Sequence, residues 1–195
     1  FIQSYTKNYL RKITSENGAA SKRIILMPIG TLEKVATNCW YPTRNFPNKE
    51  ISIAFWGLAS TLHGVELIAD AAAALGEKGI TLRAKIISAD NYFVGELKRR
   101  IKANDLEGQF LIDEVTVVSR DYNVVLDCDI AISHLVSEGL SDAHRATTEC
   151  LCTNKFFEIL AMGMPLLTAD TKGVREFVND SHCILVRPGS AEALA

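Results

Sequence analysis

The sequence has no basic excess: 21 Lys and Arg face 23 Asp and Glu, for a formal net charge of −2. That balance excludes a general nucleic-acid binder, whose footprint would be a surplus of positive charge. No apolar run approaches the length needed to span a bilayer, and no signal peptide heads the chain. Internal repeats and low-complexity tracts are absent as well. Cysteine is scarce and odd in number, at Cys39, Cys128, Cys150, Cys152 and Cys183. Cys128 and Cys183 adjoin apolar runs, as small core residues do. Cys150 and Cys152 form a C-x-C without the second Cys/His pair that a zinc site needs. Reduced thiols in a cytoplasmic protein are expected, and no metal site.

What is present is the balance of a globular domain: 195 residues, 48% hydrophobic and 23% charged. The chain begins at Phe1 and closes on residues 191–195, which read as a helix cut short, so both ends are expected to continue in a longer protein. Residues 5–13 have an amphipathic helical pattern, and RIILMP (23–28) reads as a short strand. The polar segment 30–49, with Pro42 and Pro47, reads as a linker.

From Ile51 the pattern becomes regular. ISIAFW (51–56) is a buried strand ending at Gly57, and Val65, Ile68, Ala69, Ala72 and Leu75 recur at helical spacing. LRAKIIS (82–88) is a second strand, and Phe93, Leu97 and Ile101 mark a second helix. FLI (110–112), DIAIS (129–133), PLLT (165–168) and CILV (183–186) supply four more strands. Helices are expected at 122–126, 154–162 and 174–178. Strands alternating with helices call for an α/β fold, a doubly wound parallel sheet of about six strands with helices on both faces. Its default strand order is 3-2-1-4-5-6.

In such a sheet, ligands bind at the carboxyl ends of the strands, where the winding reverses between the first and fourth. That rule selects the loop GLASTLHG (57–64) and the stretch after Ser133. The loop is neither a G-x-G-x-x-G nor a Walker A, since no G-K-[ST] ends it. Gly57 lets a ligand approach the backbone, and the following helix N-terminus offers free N–H groups to an anion. An ordinary turn with an exposed His63 is the plainer reading. The stretch from 133 to 154 is far longer than a usual strand-to-helix connection and carries Glu138, Asp142, His144, Arg145 and Glu149. It runs into TNKFFEILAMGMP, where Thr153 or Asn154 can cap a helix with Lys155 in its first turn and Glu158 one turn on. A lysine there opposes the helix macrodipole, a conflict that an anionic ligand would resolve. Glu158 can accept two hydroxyl hydrogen bonds, the way proteins grip a ribose diol. An exposed i,i+3 ion pair between Lys155 and Glu158 is the alternative.

The run NKFFEILAMGMPLLTADTKGVREFV (154–178) resembles the signature segment of the large retaining family of GT-B glycosyltransferases. IAFWGLASTLHGVELIADAAAAL (53–75) is similar to that family's first strand, loop and helix. HCILVRPGSAEALA (182–195) resembles the stretch before its long C-terminal helix, and MPIGT (27–31) its interdomain linker. The resemblance covers residues 23–195. It implies that 1–48 are the tail of a preceding domain plus a linker, and that 49–195 are the nucleotide-sugar-binding domain. In that domain Glu158 would bind the ribose, Lys155 would face the diphosphate or the donor sugar, and Asn154 beside it would join in binding the donor. Gly57, His63 and Gly64 would line the diphosphate, with Ser88 near the nucleotide and Asp113 near the base.

The implied activity is retaining, metal-independent transfer from a UDP- or GDP-type sugar donor to a glycan or lipid-linked acceptor, as in surface-polysaccharide synthesis. Lys155 and Glu158 would carry the catalytic role, with no other cofactor. The partner implied is a preceding acceptor-binding domain of the same protein, without which this chain binds nucleotide but shows no turnover. Peripheral membrane association of the longer protein fits the same setting. Two positions depart from the family pattern. Cys150 stands where many members carry a second glutamate, with Glu149 one residue out of register. Leu58 follows Gly57 where an arginine is frequent. A sugar-nucleotide epimerase of related fold and a non-catalytic interaction module are the rival readings.

Overall fold

The computed structural model describes residues 40, 49–60, 62–114, 122–136, 141, 142, 148–150 and 152–195. The expected helix at 5–13, strand at 23–28 and most of the linker lie outside these residues, as do Cys39, Thr61, Glu138, His144 and Arg145.

Six strands form one sheet: β1 (Glu50–Trp56), β2 (Thr81–Ser88), β3 (Phe110–Glu114), β4 (Ile130–Ile132), β5 (Leu166–Ala169) and β6 (Ile184–Val186). Their order is β3-β2-β1-β4-β5-β6, and every pairing is parallel. This is the doubly wound order expected from the sequence, and it puts the switch point between β1 and β4. The helices are α1 (Leu67–Glu77), α2 (Tyr92–Ala103), α3 (Asn154–Met162), α4 (Lys172–Arg175) and α5 (Ala191–Leu194).

Strand side chains alternate between two cores, so both faces are apolar and the strands read as near-continuous hydrophobic runs. On one face Ile53, Phe55, Leu82, Ala84, Ile86 and Ile132 pack with Ile68 and Leu75 of α1 and Leu97 of α2. On the other, Ala54, Trp56, Ile87, Ala131 and Leu166 pack with Phe156, Ile159 and Met162 of α3. Phe156 and Ile159 are fully buried, each contributing about 1.5–3 kcal/mol by area.

Helix α3 begins and ends where its sequence says it should. The Thr153 hydroxyl accepts from Phe156 N–H, and Gly163 closes the helix at φ +69°. Elsewhere the bounds shift. The segment read as a helix at 122–126 is a 3-10 turn, Tyr122–Val125, whose Tyr122 and Val125 are buried. The helix expected at 174–178 is one turn earlier, because the Thr171 hydroxyl caps it at Val174 N–H. The strand read from Pro165 starts one residue later. Pro165 lacks an N–H, and at this position it only accepts, from Ala131.

Candidate functional site

The carboxyl ends of β1 and β4 bring together most of the residues singled out from the sequence. After β1 the chain turns sharply at Gly57, which takes φ +107°, a region closed to L side chains. A Cβ there would meet Lys155 Cε at 3.7 Å, an ordinary contact, so it is the backbone angle that requires glycine. The residues after Gly57 form a tight turn in which His63 and Gly64 N–H both donate to Ser60 O, and Gly64 takes φ +55°. This loop is tied to the segment after β4: Leu135 N–H donates to His63 O at 3.0 Å and Val136 N–H to Leu62 O at 3.1 Å. Val136 sits at φ +67°, a costly conformation for a β-branched residue, beside these bonds.

Lys155 enters from α3 on the other side of the sheet and crosses over its edge. Only 6% exposed, its ammonium rests 3.2 Å from the centroid of the Phe55 ring. Among the described residues its one hydrogen bond is to Ser133 O at 3.3 Å. No carboxylate of the described residues lies within ion-pair distance of it, which excludes the exposed Lys155–Glu158 pair. Burial holds the Lys155 pKa well below the usual lysine value, with Glu158 partly offsetting the shift. The cation–π contact stabilises the ammonium by about 2 kcal/mol, less than its desolvation costs.

Two histidines flank this ammonium. His63 is half-buried, edge-on to Phe55 with centroids 5.5 Å apart, and its Nδ1 is paired with Ser60 Oγ at 2.9 Å. Burial first, then Lys155 and His134, lower its pKa to about 2, so its imidazole is neutral and not the exposed group of the plainer reading. His134 is fully buried, with Nδ1 3.2 Å from Thr168 Oγ1 and Nε2 without a partner. Burial, with Lys155 adding to it, lowers its pKa to about 4. The site is thus an underpaired hole, lined by basic nitrogens and roofed by the loop after β1.

Glu158 lies half-buried one turn along α3, where its Oε2 accepts from Trp56 Nε1 at 3.0 Å. Its Oε1 accepts from no described residue. Trp56, Ile87 and Asp113 form one row across β1, β2 and β3. At the usual strand spacing Asp113 stands about 10 Å from Trp56. Asp113 is exposed, and so is Asn154, since Thr153 takes the capping position at α3. Ser88 is fully buried, and its hydroxyl accepts from Ala59 N–H at 3.2 Å. Leu58 is 61% exposed at the rim, and Cys150 is buried. The half-buried Glu149 uses its carbonyl to accept from Gly173 N–H.

Four residues at the site were not singled out from the sequence: Phe55, Trp56, His134 and Asn91. His134 follows Ser133 within the stretch that topology selected, so its position carried a signal. Asn91 stands where a helix cap belongs, before YFVGELK.

No family model matches the chain, and no curated relative does. Solved structures do. A glycosyltransferase from Rickettsia africae ESF-5 superposes with a TM-score of 0.69 at 17% identity, over 99% of this chain and 50% of that one. The C-terminal domain of a glycosyl transferase group 1 family protein (LpcC) from Francisella tularensis matches at a TM-score of 0.51 and 18% identity, over 74% of this chain and 71% of that one. The pneumococcal O-GlcNAc transferase GtfA, in complex with UDP and GlcNAc, matches at 0.54 and 17%, over 96% and 34%. The chain therefore has the fold of the C-terminal half of GT-B glycosyltransferases, and spans half or less of the length of the Rickettsia and pneumococcal proteins.

Proposed function

We propose that this chain is the donor-binding half of a glycosyltransferase that uses a nucleoside-diphosphate sugar of the UDP or GDP type. The observation that carries the reading is the buried, unpaired ammonium of Lys155 at the switch point, next to the first turn of α3. A diphosphate supplies the charge this hole lacks, and the N–H groups at the start of α3 add donors. Glu158, with Oε1 open and Oε2 held by Trp56, is aimed to take a ribose hydroxyl. Exposed Asp113 at the end of the same row suits a base edge.

In sugar transfer the difficult charge is the leaving diphosphate. A fixed cation and aligned N–H groups stabilise it without reorganisation, and Lys155 is that cation. Retention of configuration, independence of metal and a glycan or lipid-linked acceptor complete the proposal. The acceptor would be held by a facing domain, as the length of the matched chains suggests. Cys150 and Leu58 favour a second reading, a binding module without turnover, because neither brings charge to the cleft.

Calorimetric titration with UDP, GDP and ADP distinguishes the two, with Glu158→Ala as control. One nucleotide is expected to bind preferentially, and Glu158→Ala to weaken it about tenfold while leaving the 2′,3′-dideoxy analogue unaffected. Absence of binding by all three would sink the donor reading.

A further inference from the structure

The loop after β1 is gripped at one peptide from both sides. Ala59, itself buried, donates its N–H to Ser88 Oγ at 3.2 Å, and its carbonyl accepts from Asn91 Nδ2 at 3.1 Å. The same Asn91 amide caps α2: Oδ1 accepts from Phe93 N–H at 3.0 Å and Val94 N–H at 3.1 Å. Ser88 turns its own hydrogen onto Ala89 O, and Gly57 N–H donates to Ile87 O. Every one of these bonds comes from the end of β2 or the turn after it. On the opposite side the loop is held by Leu135 and Val136, so only its centre, with Ser60 and His63, is left to meet a ligand.

A buried peptide group needs both its donor and its acceptor satisfied, and losing one partner costs about 1–3 kcal/mol. Asn is the short side chain that both accepts at a helix cap and donates elsewhere. Asp has the same length and caps equally well, but has no donor. Ser and Thr cap but do not carry a second, separate donor of this reach.

We propose that Asn91 is a positioning residue for the loop that faces Lys155, acting through the Ala59 peptide, with Ser88 as its partner. The inference rests on reading that loop as the diphosphate wall of a donor site. Asn91 touches no ligand itself. It fixes where the 60–64 turn, and hence His63, stands relative to Lys155, and it ties that position to the capping of α2. A shift of the β2–α2 turn, on which the nucleoside would lie, then moves the diphosphate wall with it.

Asn91→Asp separates the two roles, with Asn91→Ala losing both. In Asn91→Asp, amide exchange at Phe93 and Val94 is expected to stay slow, whereas exchange at Ala59, His63 and Gly64 accelerates about tenfold. Affinity for the preferred nucleoside diphosphate drops about tenfold with little change in melting temperature. In Asn91→Ala both segments exchange faster. Unchanged loop exchange in Asn91→Asp overturns the proposal, and so does faster loop exchange with unaltered affinity. If the wild-type chain binds no nucleotide, the donor reading fails, and the exchange measurement, which needs no ligand, still decides whether Asn91 holds the loop.

Discussion

The two ends of the sheet treat buried charge in opposite ways. At the amino ends of the strands the buried Asp129 has its partners, and two more exposed ion pairs stand beside it. Asp129, 2% exposed, accepts from Ser52 N–H and Oγ at 2.7 Å, tying β4 to β1. Lys85 is paired with Asp127 at 2.8 Å and Arg83 with Glu50 at 2.9 Å. A cavity of about 380 Å3 opens there, yet the charged groups around it are already paired with one another. Trp40, which precedes β1, also closes this end, donating its indole N–H to Cys128 O. At the carboxyl ends Lys155 is buried without a counter-charge, and His134 keeps a nitrogen without a partner. Apart from Gln109 Oε1 beside the cavity, which has no partner among the described residues, the polar groups named at the first end serve the fold, whereas Lys155 and His134 at the second await something the fold does not supply.

Exchanging substitutions between the ends breaks the comparison most sharply. Lys155→Met is expected to lower nucleoside-diphosphate affinity about 100-fold, the worth of a charge-assisted contact, while melting temperature holds or rises. Asp129→Ala is expected to do the reverse, costing about 3 kcal/mol of stability with affinity unaltered, because Ser52 N–H loses its acceptor. Denaturant unfolding and calorimetry on both variants read this out. Equal loss of stability in the two would erase the distinction.

A smaller effect comes from pH. The folded-state pKa of His134, about 4, lies below the unfolded value of 6.5. Below pH 6.5 the unfolded chain therefore takes up a proton that the folded chain refuses, and stability falls as pH drops from 6.5 towards 4. The loss attributable to this residue is about 3 kcal/mol at pH 4. His134→Gln should remove this residue's share of the slope in urea titrations, with His63 supplying the rest, and a profile of unchanged slope would show that His134 titrates normally.

Much of this architecture was legible in the residues. The strand order followed from alternation alone, and α3 was readable at both ends because Thr153 and Gly163 are strong local signals. The 3-10 turn at Tyr122–Val125 was not, since an apolar period over four residues fits either kind of helix. At the site, spacing placed Lys155 and Glu158 on one helix, but the same spacing fits an exposed ion pair. What decides between them is that Lys155 lies over Phe55, a tertiary contact across the sheet edge. Ser88 is a second case: its place at the end of β2 was readable, but the commitment of its hydroxyl to Ala59 was not. Asn91 was not singled out, although its place before YFVGELK suits a cap, and its second bond depends on a loop 32 residues earlier.

The central claim is that the hole around Lys155 lacks a negative charge that a nucleoside diphosphate supplies. Proton uptake on binding measures this directly. Titrations at a series of pH values from about 8 upward, where the phosphates are fully ionised, would be run in two buffers of different ionisation enthalpy. Because burial holds the free Lys155 below its usual value, an anion arriving beside it raises that value and draws in a proton. Net uptake by the wild-type chain that disappears in Lys155→Met is the expected result. Binding without uptake, or with the same uptake in Lys155→Met, would contradict it.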